Sequence, residues 1–582
     1  MNTWMRCLAI LTVSATVVVS CTADDPLESF NSGTPGSVTG GGSSGGSGSA
    51  VGELTTFAVS IDQTTAEPAT SATAYYPEAE DNLEDSSNSE FADGTVAEVA
   101  IDMSGAVSGT VNGVSIVAEN GNIVCDHGSS KVCYVVSGST ASGSLTIKGE
   151  KKCEVKLSGV SITSPDSAAL NILCKKRAFV YLVPGTTNSL TDTETDNEHK
   201  GALYAKGKLL FHGSGSLSVY GRHNNAIHSA DYIIFNPGVN IYANSTANHG
   251  IKANDGVFIN GGILNVEVSA AAAKGINSES DITVNGGRTT VITTGNGVWD
   301  TEDKEAKGAA CLKSDLAFTI NGGELWLRST GSGGKGIKAD TEGHFNGGST
   351  YVITTGSQFR SNNDTASPKG VKTDGNVTVS GGRIWVRTSG TNGEGIESKG
   401  TLDISGGEVA SYAYDDAINS KSHTTISGGY IFALGQHNDG IDANGNCYIK
   451  GGVIYASCSG SPEVAIDANT EGGYKLYLQG GTVVAIGGLE NGSSLSQACY
   501  QSSWSRNSWY ALTYGDNTLA FQTPSSGGSG LVVSTPSTPA LKSGVTVSGG
   551  TDYFGGLVSL GCTVSGGSSV TLSSYSGGGG RR

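Results

Sequence analysis

Short stretches in which apolar and polar residues alternate recur along most of the chain, separated by glycine-rich breaks. The segments VTVSGGRIWVRT and LDISGGEVASYA show the unit: an alternating strand, a Gly-Gly corner and a second alternating strand. Alternation with period two marks strands with one face buried, and no ten-residue window carries helical periodicity. Each unit is preceded by a motif of the form x-Gly/Ala-Ile-x-Ser/Ala, as in NAIHS, KGINS, KGIKA, EGIES and DGIDA. Its small residue falls at Ala202, Ala226, Gly250, Gly275, Gly308, Gly336, Gly370, Gly395, Ala417, Gly440 and Ala465. Strand, corner, strand and return at this period describe one coil of a parallel β-helix, so the predicted fold class is all-β: a right-handed parallel solenoid with a small C-terminal β cap.

Stacking turns each register position into a row. The third residue after each Gly-Gly corner gives Trp326, Tyr351 and Trp385 on consecutive coils, about 4.8 Å apart, with core residues on either side of each. These rings are expected to face outward as a stacking platform for sugars, with Arg328 and Arg387 two residues beyond the tryptophans to fork onto a carboxylate. The alternative is an aromatic ladder covered by a loop and serving stability alone. Two inserts, residues 295–306 and 356–368, leave the solenoid beside this row and are expected either to wall a groove with Trp299, Phe359 and Arg360 or to cover the ladder. A second pair of rows flanks the repeating small residue. Lys274, Lys307, Lys335 and Lys369 precede it on the middle coils; Lys338 and Lys372 follow it by two. Toward the C-terminus the same positions become Glu394, Glu397, Asp416, Asp439, Asp442 and Asp467, with Asp415 alongside. The lysines Lys335, Lys338, Lys369 and Lys372 suit an acidic glycan and the carboxylates suit Ca²⁺, a hard cation taking six to eight oxygens; the plainer reading of both patches is solvated charge.

Composition narrows the setting. Glycine supplies 87 of the 582 residues without a Gly-X-Y period. The formal charge of -18 is concentrated near the N-terminus: no Lys or Arg lies between Arg6 and Lys131, while 17 of the 53 acidic side chains do. The body is nearly neutral, and without a basic field it is not expected to bind nucleic acid. Arg6 precedes an apolar run ending VVSC, which reads as a secretory signal (residues 1–20) with Cys21 as a lipidated first residue. Residues 21–94, Gly/Ser-rich and then acidic, are expected to form a flexible tether; residues 95–490 the solenoid; residues 491–582 the cap and tail. An exported chain permits disulfides: Cys125 and Cys133 flank a turn, and Cys153 and Cys174 stand about one repeat apart.

The segments YVVSGSTASGSLTI, VKLSGVSITSPDSAALNI and VPGTTNSLTD, the later repeats and SSGGSGLVVSTPSTPALKSG resemble a bacterial family of carbohydrate-binding, pectate- or polygalacturonate-binding, calcium-containing parallel β-helix proteins. The resemblance covers about residues 95 to 550. It implies a non-catalytic polysaccharide-binding module, pectate-like in preference, with Ca²⁺ on Asp-Asp-Gly-Ile corners such as Asp415-Asp416-Ala417-Ile418. The expected protein is a monomeric lipoprotein on the outer membrane surface of a Gram-negative cell, its partners a polysaccharide and the lipid bilayer. Two other classes fit the same pattern. A polysaccharide lyase or hydrolase would need paired carboxylates or a base beside a metal, and neither an Asn-Thr-Asp nor an Arg-Ile-Lys signature is present. A structural adhesin would use an exposed end.

Overall fold

The computed structural model describes residues 57–577, except 63, 70–72, 77–90, 92, 93, 95, 106, 175 and 195–197. The signal segment, Cys21 and the Gly/Ser-rich stretch lie outside the described residues.

The chain winds as a parallel β-solenoid in which each coil contributes one strand to each of three faces. One coil shows the plan: Lys274–Ser278, then Ile282–Val284, then Arg288–Thr293. Each of these strands pairs in parallel with its counterpart one coil away. The faces are called here the lysine face, the short-strand face and the aromatic face. The lysine face is a 15-stranded sheet, and the other two are joined in a 31-stranded one. Alternation decides what points inward. Ile276, Leu312, Ile337 and Val371 from the lysine face, Phe318 and Phe345 from the short strands, and Leu325, Leu327 and Val352 from the aromatic face all have zero exposure. Hydrogen bonds run from coil to coil, so no coil buries its apolar side without neighbours.

The repeating small residue has a steric cause. A Cβ at Gly275, Gly336 or Gly370 would stand 2.1 Å from the Cγ1 of Val291, Val352 or Val386 on the aromatic face of the same coil. The second glycine of each corner adopts the left-handed region, with φ of +70° at Gly348 and +81° at Gly382, where other residues are strained. Ahead of these corners Asn260, Asn285, Asn321 and Asn346 form an amide ladder, each Nδ2 donating to the preceding Oδ1 at 2.9 Å. The ladder satisfies polar groups that the bend would otherwise strand.

Four expectations need correction. Gly308 and Lys307 are not on the coil register: Lys274 pairs with Ala310, Ile276 with Leu312 and Asn277 with Lys313, while Lys307 ends an insert hairpin. The first insert runs a few residues further than its composition suggests, and the sequence ACL supplies the coil. Second, part of the acidic tether lies on the solenoid. Phe57 packs over three aromatic rings, the Glu67 carboxylate accepts from Gly238 N (2.8 Å) and Gly262 N (2.5 Å), and the Tyr75 backbone pairs with the Asn260 side chain at 2.8 and 2.9 Å. Tyr76 reaches Asn236, and Phe91 packs on Phe179 over the short-strand face. Third, the C-terminal region is more than an end cap. Strands Leu531–Ser534 and Cys499–Ser502 close the aromatic face with antiparallel pairing, and a six-stranded antiparallel sheet lays Phe521 and Phe554 against Tyr455 and Phe432. Cys125 and Cys133 do not close a hairpin; they belong to strands on different faces, and all nine described cysteines are buried thiols.

Candidate functional site

The aromatic row forms as the register predicts: Trp326 pairs with Tyr351 and Tyr351 with Trp385 across adjacent coils. Trp326 and Tyr351 stack at 4.1 Å, and Tyr351 meets Trp385 edge-on at 5.6 Å. The expectation of an open platform is overturned by what lies on top. Phe57 sits 5.4 Å from Tyr351 and 6.3 Å from Trp385, leaving them 4% and 3% exposed. Trp326 is half-buried at the edge. The guanidiniums on the indoles are those of Arg288 (5.9 Å from Trp326) and Arg383 (5.3 Å from Trp385), held by Glu324 and Glu408. Arg387 is itself buried over Tyr412, and Arg328 is half-buried. Tyr351, Trp385 and Arg387 thus lie in a buried packing layer, with Trp326 and Arg328 half-buried at its edge, and Phe57 occupies the place where a sugar ring would stack on Tyr351 and Trp385.

The lysines lie on another face. In register order one row reads Lys274, Ala310, Lys335, Lys369, Glu394, and the outward row reads Asn277, Lys313, Lys338, Lys372, Glu397, Asn419, Asp442. Lys274, Lys313, Lys335, Lys338, Lys369 and Lys372 line a groove of about 640 Å³ together with Lys399. The two inserts wall it, but not with Trp299, Phe359 and Arg360. They form hairpins, Val298–Asp300 with Glu305–Lys307 and Phe359–Ser361 with Asp364–Ala366, joined where Ala306 N donates to Asp364 Oδ2 at 2.8 Å. Asp303, Glu305, Lys307, Asp364 and Thr365 face the groove. Sequence reasoning missed Lys313, whose signal was the motif CLKS in place of KGIKS-like wording.

Ion pairing inside the groove is uneven. Lys313 reaches Asp315 and Asp340 (2.5 and 2.7 Å), Lys338 reaches Asp340 (3.2 Å) and Lys372 reaches Asp374 (3.3 Å). Lys369 is buried against Glu394 (2.6 Å) and Glu397 (3.4 Å), and Glu397 also holds Lys399. Burial works against the Lys369 charge, but the two glutamates outweigh it and hold its ammonium above the usual lysine range. Glu397 is correspondingly held down despite its burial, chiefly by Lys369, and Glu394 is pushed up by burial. The assignment of Glu394 and Glu397 to a metal cluster is therefore corrected: they close the lysine network. Lys335 is only 8% exposed, and burial, then Lys372 and Lys274, push its ammonium well below the usual range.

Beyond the groove the outward row turns acidic. Asp439, Asp442 and Asp467 each bring one carboxylate oxygen within 4.8 Å of the others. Burial, then neighbouring acidic groups, push Asp416 up to about 9 and Asp467 up to about 8. Burial first, with Asp467, Asp442 and Glu463 adding to it against the bond from Val464 N, brings Asp439 to about 8, and burial with Glu394 brings Asp442 to about 6. Asp416 accepts from Asp439 N (3.1 Å) and Asn419 Nδ2 (3.0 Å), linking coils, and Asp415 accepts from Asn438 Nδ2 (2.9 Å). The structure thus brings together three of the seven predicted carboxylates.

Comparison with known proteins places this surface in context. A family model described as carbohydrate-binding domain-containing protein matches residues 118–281 and 240–416, a span that contains the lysine groove and ends at Asp416. A carbohydrate-binding domain-containing protein from Acetivibrio thermocellus is 30% identical over 103 residues, 16% of this chain and 36% of that protein. The chain therefore covers about a third of that relative's length. A solved structure of a polysaccharide lyase-like protein from C. thermocellum, as a gadolinium derivative, superposes with a TM-score of 0.34 at 22% identity, covering 50% of this chain and 100% of that one. With the matched stretches together reaching just over half of its length, the chain belongs to the family of carbohydrate-binding domain-containing proteins.

Proposed function

We propose that the protein binds an anionic polysaccharide in the lysine groove, without catalysis, and is displayed at the cell surface through a lipid on Cys21. The observation that carries the reading is the concentration of Lys274, Lys313, Lys335, Lys338, Lys369 and Lys372 around one groove of about 640 Å³. A pyranose chain laid along the solenoid axis advances roughly one sugar per coil, so repeated charges on the glycan meet repeated ammonium groups. Pectate-like polyuronate is the ligand that the family resemblance implies and is the natural reference. Affinity electrophoresis in gels containing pectate, other acidic glycans or neutral glycans tests the reading. Retardation is expected in acidic gels alone, and Lys338→Ala/Lys372→Ala is expected to weaken it about a hundred-fold, about ten-fold for each charge-assisted hydrogen bond removed. Equal mobility in every gel would sink it, and unsaturated products on incubation would replace binding with lyase chemistry.

The calcium expectation narrows to Asp439, Asp442 and Asp467, with Asp416 behind them. These carboxylates, crowded and protonation-prone without a counter-charge, fit a hard oxygen-seeking cation. Bound there, Ca²⁺ would supply positive charge that lets the cluster ionise and locks adjacent coils.

A further inference from the structure

Far from the groove, the corner between the lysine face and the short-strand face brings three reactive side chains together in the first coils. His127 follows the strand Asn122–Asp126, Cys153 opens the strand Cys153–Ser164, and Cys174 follows the strand Leu170–Ile172. Each comes from a different coil, because Ile123, Leu145 and Leu170 pair in succession on the lysine face. All three are sealed, at 3%, 0% and 1% exposure. The Cys153 and Cys174 sulfurs stand 3.4 Å apart, and Cys174 Sγ lies 3.9 Å from His127 Nε2. The imidazole is fixed from its other side by a 3.0 Å hydrogen bond between Nδ1 and the Tyr134 hydroxyl. Gly149 makes room for the ring, since a Cβ there would stand 1.9 Å from Nε2. By contrast, the hydrogen-bond partners of Cys133, Cys311, Cys458, Cys499 and Cys562 are oxygens.

The two sulfurs are chemically unequal. The hydrogen bond from the Cys153 thiol holds the Cys174 sulfur below the usual thiol range against its burial, and His127 adds to the effect. The same bond, with burial, pushes Cys153 well above that range. Burial works against an imidazolium at His127, but Cys174 outweighs it and holds the ring above the usual histidine range. Cys174 is therefore the sulfur that carries thiolate character, and thiolate is the form that attacks a disulfide.

We propose that Cys153 and Cys174 form a coil-to-coil disulfide site, closed by exchange with an external disulfide and with Cys174 as the attacking sulfur. The Cys174 thiolate attacks one sulfur of the oxidant RSSR, forming a mixed disulfide and expelling RS⁻. The Cys153 sulfur then gives up its proton and attacks Cys174 Sγ, expelling the second RS⁻. The two thiolates take up the two protons, so two protein thiols and RSSR become one protein disulfide and two RSH. Closure brings the sulfurs from contact to about 2.05 Å. Because both are sealed in the folded chain, exchange passes through local opening of the first coils. The surface display proposed above puts the chain where such oxidants occur. The bond ties coils near one end of the stack, where fewer neighbours hold each coil in place.

The reduced full chain, brought to equilibrium in a glutathione redox buffer, tests this without reference to export or to glycan. After alkylation in denaturant and digestion, the peptides holding Cys153 and Cys174 are expected to be joined to each other, and the other seven described cysteines to be alkylated. Amide exchange in the strands Cys153–Ser164 and Ala178–Leu182 should slow at least about ten-fold on oxidation. Cys153→Ala/Cys174→Ala should make that exchange indifferent to the redox buffer. Cys153→Ser is expected to hold glutathione on Cys174, whereas Cys174→Ser should leave Cys153 a free thiol. Alkylation of Cys153 and Cys174 as complete as that of Cys311, or a link from either to a third cysteine, would overturn the site. Glutathione on Cys153 rather than Cys174 would overturn the order of attack.

Discussion

Trp385 carries the clearest single-residue consequence. Its ring contacts both Phe57 and Arg383, its neighbour Tyr351 is equally buried, and its indole N–H reaches Glu408, which also accepts from Phe554 N in the short turn beside the C-terminal sheet. Trp385→Ala should cost about 3–5 kcal/mol of stability in chemical denaturation, as for other buried aromatic truncations. Glycan affinity at the lysine groove should be unchanged as long as the variant is folded; an affinity loss equal to that of the lysine variants would return the tryptophan to the binding surface. Trp326→Ala, at the half-buried edge, should cost less. Alternation along the strand correctly placed these rings on the outside of the coil. It says nothing of what a distant segment lays over them, which is why outward-facing and solvent-exposed parted company here.

At the scale of elements, the coils were legible and their coverings were not. Val/Ile/Leu alternation, Gly-Gly corners and the small residue under Val291, Val352 and Val386 are local rules repeated many times, so chance agreement is excluded. The strap of residues 57–76 has no repeat. Its only signals are Phe57, Tyr75 and Tyr76 standing in a polar stretch: the Phe57 ring packs on Tyr351, the Tyr75 ring meets Phe258 at 5.2 Å, and the Tyr76 hydroxyl reaches Asn236. The lysine rows were legible apart from one coil, where the insert displaced the motif and hid Lys313. Which lysines form ion pairs was not legible, because that depends on side chains from corners such as Asp315 and Asp340 reaching back. If the strap is held as described, Phe57→Ala/Tyr75→Ala should red-shift tryptophan emission as Trp326 and Trp385 gain water. The same variant should open residues 57–76 to protease while the solenoid resists. Unchanged emission and unchanged cleavage would show that other contacts hold the strap.

For the whole molecule, charge divides along the axis of the lysine face, basic at mid-length and acidic toward the C-terminal coils. The acidic end makes stability depend on pH. Asp416, Asp439 and Asp467, pushed up to about 9, 8 and 8, lie well above the roughly 4 of an unfolded carboxyl. The folded chain therefore binds more protons than the unfolded chain across that window, and the stability these groups contribute is complete below the unfolded value and lost as pH rises through 8 to 9. Melting of chelator-treated protein should show the decline, and Asp467→Asn should make it shallower. Ca²⁺, favouring the ionised set, should raise the melting temperature more at pH 9 than at pH 5. A calcium increment independent of pH would place the ion elsewhere.

The strap gives the rod a mechanical property. Among the described residues its contacts run from Phe57, beside the coils of Trp326 to Trp385, back toward the first coils. Tension applied through the N-terminal chain thus loads one contact at a time in peeling geometry, first the phenyl ring, then Glu67, then Tyr75. Every residue that comes away adds about 3.3–3.6 Å of reach, so a pull on the strap would release chain before any coil unwinds.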